Sequence, residues 1–341
     1  MGNYLNPDNS KFQRAVNSDI YVDKTGLIKY TNRVINTMQA YVCVSRPRRF
    51  GKSMAADTLT AYYSRGCDSR ELFAGLEIAE DKNFTRYLNK YDTIFLNVQE
   101  FLSRSSNVQE LLTRIKQRVI RELARLYPDV ELFDPEDLAE TMQDIYAESK
   151  CPFILIIDEW DCIFREYKQD KEAQEKYLDF LRDLLKDKAC IYLSYMTGIL
   201  PIKKYGTHSA LNMFDEFSMI APGPLACYVG FTEQEVKKLC EQYGMDMEEV
   251  KNWYDGYSFP NAKSIYNPNS VMKALRNDDF DSYWTQTSAA ESLMEYISLD
   301  YDGLSKTIAE LIGGIEVEVD TSGFSNDLVT FREKDLSLIH I

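Results

Sequence analysis

Short apolar runs alternate with helical hydrophobic stripes through the first two hundred residues of the chain. Residues 40–44 form the first run, and a polar, glycine-containing stretch leads from it into a helix pattern through Met54, Leu59 and Tyr62 toward Gly66. A second run, Thr93-Ile94-Phe95-Leu96-Asn97-Val98, precedes a long stripe in which Val108, Leu111, Leu112, Ile115, Val119, Leu123 and Leu126 share one helix face, and Pro128 ends it. A third, Phe153-Ile154-Leu155-Ile156-Ile157, is introduced by Pro152 and closed by acids. A stripe with Tyr177, Leu181, Leu184 and Leu185 follows, then a fourth run over residues 190–197. Continuous apolar strands alternating with amphipathic helices predict a doubly wound, mostly parallel α/β sheet buried on both faces.

After Lys203-Lys204 the strand alternation fades, which predicts a second domain. Thr232 with Glu235 three residues on is a capping box that opens a helix through Leu239. A further helix precedes Trp253-Tyr254-Asp255-Gly256-Tyr257, Ser264-Ile265-Tyr266 reads as a short strand, and Asn267-Pro268 begins another helix with Pro at its first position. This order fits a helical, winged-helix-like lid without the basic groove of a DNA-reading wing.

Two motifs carry the chemistry. Ser45-Arg46-Pro47-Arg48-Arg49-Phe50-Gly51-Lys52-Ser53 follows the first strand and opens a helix, the setting of a phosphate-binding loop. Gly51 lets backbone N–H groups close on phosphate oxygens, Lys52 reaches the β- and γ-phosphates, and the Ser53 hydroxyl suits magnesium. Arg46 stands where the usual pattern opens with Gly, so the turn is made without a residue that adopts positive φ freely. Arg46, Arg48 and Arg49 are expected to neutralise phosphates along with Lys52, with Met54 also lining the nucleotide; sequence does not say whether one of the arginines acts as an arginine finger in cis. Asp158 and Glu159 end the third strand as a Walker B pair, the first for the magnesium shell and the second to polarise an attacking water. Asp161 is expected to be solvated or to cap the next helix. Thr197, just before Gly198 at the end of the fourth strand, is the candidate sensor of the γ-phosphate, with Ser194 as the fallback.

Composition narrows the alternatives. The 39 basic and 54 acidic residues leave a net charge of −15, which argues against broad affinity for a nucleic-acid backbone. The seven cysteines are scattered without C-x-x-C pairs, and two histidines, His208 and His340, give no basis for a histidine-rich metal site or a Ser-His-Asp triad. The absence of an apolar run of membrane-span length and of a signal-like N-terminus predicts a cytoplasmic protein with no membrane partner.

These motifs, together with Tyr21-Val22-Asp23-Lys24-Thr25, Met196-Thr197-Gly198-Ile199-Leu200-Pro201-Ile202 and Tyr266-Asn267-Pro268, resemble prokaryotic AAA-ATPase-like proteins. In that family an N-terminal NTPase domain usually precedes a restriction-endonuclease-like domain, and the loop is similarly basic and Pro-containing. The resemblance implies a P-loop ATPase of the additional-strand (ASCE) type with a lid, using ATP and Mg²⁺, as switch or motor for an attached nuclease-like module. The expected organisation is a core over 1–205, a lid over 206–300, the start of a linker over 301–335, and a tail over 336–341. The family pattern continues past Phe331-Arg332-Glu333-Lys334-Asp335, and Leu336-Ser337-Leu338-Ile339-His340-Ile341 looks like a translated transposase adapter. The tail is therefore expected to be non-native and the nuclease-like domain missing in cis, with nucleic acid reached only through that domain. Homo-oligomer formation stays open.

ATP hydrolysis is the leading expectation. A nucleotide-binding scaffold with little or no hydrolysis is the alternative, and a small-molecule kinase a distant third, since adjacent acids suit water activation better than acceptor phosphorylation.

Overall fold

The computed structural model describes residues 2–202, 211–219, 221–259 and 262–283. His208, the remainder of the expected lid, the linker and the 336–341 tail lie outside the described residues. The chain divides into two compact units, one running to Arg46 and from Gly51 to Phe217, the other made of Pro47–Phe50 and the chain from Ser218 onward.

The first unit begins with α1 (Ser10–Val16) and α2 (Gly26–Val34), then β1 (Tyr41–Ser45) and α3 (Lys52–Tyr63). Short helices α4 (Arg70–Phe73) and α5 (Phe84–Tyr87) lead to β2 (Asp92–Asn97), α6 (Val98–Leu102), α7 (Val108–Leu126) and α8 (Leu138–Ser149). β3 (Phe153–Asp158), α9 (Cys162–Glu166), α10 (Lys171–Leu185), β4 (Ile191–Gly198) and β5 (Asp215–Phe217) complete it.

Its five strands lie in the order β2-β3-β4-β1-β5, every neighbouring pair parallel. Every residue of β3 is buried, as its unbroken apolar run requires in a sheet covered on both faces. β4 lies between β1, which feeds the basic loop, and β3, which carries the acids, so the sheet has the inserted strand of the additional-strand type. The chain is α/β, and this sheet confirms the expected P-loop architecture.

The edge of β2 is covered by the N-terminal segment. Asn6 donates its N–H to the Thr93 carbonyl at 2.7 Å, and Phe95 donates to the Tyr4 carbonyl at 2.8 Å, giving an antiparallel bridge. A single carboxylate, Glu122 of α7, accepts the backbone N–H groups of Asn3, Tyr4 and Leu5 and holds the segment there. An otherwise exposed strand edge is thereby closed.

β5 departs from the sequence expectation of a core ending at residue 205. Val42 to Val44 of β1 pair in register with Asp215 to Phe217, so the sheet continues to Phe217. This three-residue strand has no apolar run of its own and is held through the main chain of β1.

The second unit contains β6 (Phe231–Thr232), α11 (Glu233–Tyr243), α12 (Met247–Tyr254), β7 (Tyr257–Phe259), β8 (Ala262–Tyr266) and α13 (Pro268–Asn277). Its strands form an antiparallel sheet in the order β6-β8-β7. A strand, two helices and a hairpin whose return strand pairs with the first is the connectivity of a winged helix. The expected capping box of Thr232 and Glu235 is present, Pro268 opens α13 as expected, and the Asn267 side chain accepts from the N–H groups of Asn269 and Ser270.

Candidate functional site

In a parallel sheet the carboxyl ends of the strands share one edge, and ligands bind there. Ser45, Asn97, Asp158 and Gly198 stand at that edge as the last residues of β1, β2, β3 and β4. The register sets Asp158 beside Asn97 on one side and beside Thr197 on the other, while Val44 pairs with Thr197 from β1. The sheet thus brings Asp158 and the candidate sensor into adjacent positions.

Gly51 occupies the left-handed region at φ 89° and caps α3, which starts at Lys52. Only a residue without Cβ enters that region freely, and the helix it caps begins there with its first N–H groups and the positive end of its dipole, which favour an anion. Lys52 is buried, and that burial pulls its ammonium below the ordinary lysine value, against the opposing pull of Glu159, Asp161 and Asp158. The Ser53 hydroxyl is close enough to the Asp158 carboxyl to favour its ionised form.

Asp158 is 1 % exposed. Its Oδ2 accepts from Asn97 Nδ2 at 3.2 Å and its Oδ1 from the Glu159 N–H at 3.1 Å. Burial raises its pKa to about 6, an effect that the Glu159 charge adds to and that the nearby Ser53 hydroxyl and Lys52 oppose. A hydroxyl and a carboxylate near one another are hard oxygen donors. They suit Mg²⁺, which takes few protein ligands and completes its shell with phosphates and water.

Glu159 lies in the left-handed region at φ 54°, a position a non-glycine residue occupies only when its surroundings impose it. Its carboxylate forms an ion pair with Arg165 of α9. Thr197 is fully buried and its hydroxyl has no hydrogen-bond partner among the described residues. The fallback Ser194 is also buried without a partner, but it pairs with Leu155 and Tyr41 toward the opposite end of the strands.

Two expectations are corrected. Arg46 is 1 % exposed, and its Nη1 donates to the carbonyls of Ser45 at 2.9 Å and Phe217 at 2.8 Å, tying the carboxyl ends of β1 and β5 together. Its own N–H donates to the Gly198 carbonyl at 3.1 Å. Arg46 therefore stands in place of the opening glycine as a structural clip at the sheet edge, its Nη1 committed to two carbonyls. Burial lowers its pKa to about 10. Asp161, its carboxylate expected to be solvated or to cap the next helix, is fully buried and stands at the N-cap of α9 without a side-chain cap hydrogen bond. Its Oδ2 instead accepts the N–H groups of Ile199 at 3.1 Å and Leu200 at 2.9 Å, anchoring the turn after β4.

Arg48, Arg49, Ser53 and Met54 are exposed, and Arg49 sits at φ 68°. Within the second unit, Phe50 is buried against Tyr257 with ring centroids 5.6 Å apart, and Asn267 Nδ2 donates to the Arg48 carbonyl at 3.4 Å. Sequence reading missed Asn97 and Arg165. A polar residue closing β2 beside an acid that closes β3 was the available signal for Asn97; nothing local marked Arg165.

A family model described as "Predicted AAA-ATPase" matches residues 10–207, which take in every strand of the sheet except β5. The chain belongs to this AAA-ATPase family. An Azotobacter chroococcum mcd 1 protein, described as "Uncharacterized protein in vnfD 5'region", is 25 % identical over 289 residues, covering 82 % of this chain and 52 % of that protein. The chain thus spans about half the length of the curated relative it matches. Among solved structures, the Aeropyrum pernix ORC2 protein in ADPNP-ADP complexes aligns at 11 % identity with a TM-score of 0.35, covering 69 % of this chain and 55 % of that one, too loose a likeness to carry function. The family match covers the glycine-lysine-serine turn, Asp158, Glu159 and Thr197. Among the described residues, no helix of this AAA-ATPase family member is long and apolar enough to cross a membrane.

Proposed function

We propose that the chain binds ATP with Mg²⁺ and hydrolyses it. The reading is carried by the sheet edge itself, where the glycine-capped start of α3, with the buried Lys52, lies close enough to the acids Asp158 and Glu159 for their charges to act on its ammonium. Lys52 and the first N–H groups of α3 hold the β- and γ-phosphates. Ser53 and Asp158 hold the metal, which when bound neutralises phosphate charge and orients the γ-phosphoryl group. Glu159 orients and polarises the attacking water. Thr197 offers its unpartnered hydroxyl to the γ-phosphate, giving a buried polar atom a partner only when nucleotide is present.

In the longer protein that the length of the Azotobacter relative suggests, this ATPase would serve as switch or motor for a nuclease-like module, with nucleic acid handled by that module. One observation favours the second reading, a nucleotide-binding scaffold with little turnover: the Glu159 carboxylate is paired with Arg165.

Steady-state phosphate release by the wild type, Lys52→Ala and Glu159→Gln decides between them. Hydrolysis predicts turnover that Glu159→Gln lowers by at least about 100-fold while Mg-ATP still binds. Equal turnover in the wild type and Glu159→Gln would overturn the assignment of Glu159, and absence of both binding and turnover in the wild type would overturn the function.

A further inference from the structure

Arg165 is 15 % exposed along its side chain and lies between two acids. One Nη pairs with Glu159, and its Nε stands 3.3 Å from Asp161 Oδ2. Asp161 is immobilised in turn, because the same oxygen accepts the Ile199 and Leu200 N–H groups directly after β4. Further restraint comes from Gly198, where an added Cβ would stand 2.6 Å from Asp161 Oδ1. A continuous chain of contacts therefore runs from the turn after Thr197 through Asp161 and Arg165 to the Glu159 carboxylate.

An arginine that competed with catalysis would be expected at the surface, free to leave. Arg165 instead donates one Nη to Glu159 and stands at ion-pair distance from Asp161 without a hydrogen bond to it, so a single guanidinium is held electrostatically between two carboxylates. Glu159 needs such a brace. Its backbone is in a left-handed turn, and its side chain has rotatable bonds that burial alone does not fix.

We propose that Arg165 is a positioning residue that sets the Glu159 carboxylate relative to Thr197 by way of Asp161. This rests on the ATPase reading above only for its kinetic consequence. A displacement of the water-activating group by about 1 Å costs on the order of 100-fold in rate.

The test uses the full chain. Arg165→Ala should lower kcat by about 10- to 100-fold while the calorimetric Kd for Mg-ATP stays within about threefold. In a Glu159→Gln background the same change should cost no further activity, since Arg165 acts through Glu159. A second readout needs no turnover: hydrogen–deuterium exchange at the Ile199 and Leu200 amides should be about tenfold faster in Arg165→Ala, and unchanged in Glu159→Gln. Unchanged or increased kcat in Arg165→Ala, or a loss of equal size in the Glu159→Gln background, would overturn the proposal. If the wild type shows no turnover, the ATPase reading fails by itself, and the exchange measurement decides for the brace if the two amides accelerate and against it if they do not.

Discussion

Thr197 pairs with Asp158 across the parallel register of β4 and β3, a fully buried hydroxyl without a hydrogen-bond partner beside the acid that ends its neighbour. An orphaned buried hydroxyl costs stability, whereas a hydroxyl awaiting phosphate contributes to function. Thr197→Val, which keeps the shape and removes the polar atom, should therefore leave the nucleotide-free chain as stable or raise its stability by about 1 kcal/mol. Turnover should fall in the same variant. Thermal unfolding and phosphate release on one preparation check both signs, and a variant that loses stability and retains its rate contradicts the sensor role.

Asp158 supplies a pH prediction. Its pKa is raised to about 6 in the folded chain from an ordinary 3.8, so the folded state holds a proton that the unfolded state has released between those values. Stability from this group is fully present below about pH 4, falls as pH rises toward 6, and is then lost, a change of about 3 kcal/mol. Asp158→Asn should remove that slope and raise stability at pH 7 in metal-free buffer, as read by denaturant unfolding at several pH values. A metal held by Asp158 would require the ionised carboxylate, so under the proposed function Mg-ATP affinity of the wild type should weaken as pH drops below about 6.

Gly198 is the tightest glycine at the site. A Cβ there would meet Asp161 Oδ1 at 2.6 Å and the Trp160 ring at 2.7 Å, and both of those side chains are fully buried and cannot move aside cheaply. Gly198→Ala should cost about 2 kcal/mol in urea unfolding and disturb the turn that Asp161 anchors. A loss below about 0.5 kcal/mol would show the turn to be looser than these distances imply.

Arg46 separates a structural clip from a phosphate ligand. Arg46→Met deletes the hydrogen bonds to the Ser45 and Phe217 carbonyls, so it should destabilise the junction of β1 and β5. Because nucleotide stabilises whatever it binds, the thermal shift on adding Mg-ATP should be retained. Loss of that shift with unchanged basal stability would return Arg46 to the phosphates.

The sheet was legible where burial on both faces forces an apolar run, as in β1, β3 and β4. The loop and the acid pair were legible because phosphate and metal chemistry restricts residue type at fixed spacing. β5 escaped because Asp215 and Glu216 carry no hydrophobic signal and the strand forms through the main chain of β1. α8 escaped because its apolar face is short, with Leu138, Met142 and Ile145 set among polar residues. The roles of Arg46, Asp161 and Arg165 come from contacts made across the fold, such as Asp161 to Leu200, and local spacing does not encode them.

The most direct test of the central claim is titration calorimetry of the purified chain with Mg-ATP, wild type against Lys52→Ala. Micromolar binding, about −8 kcal/mol, is expected in the wild type and disappears when the buried ammonium of Lys52 is removed. No heat from the wild type, or equal affinity in Lys52→Ala, would contradict it.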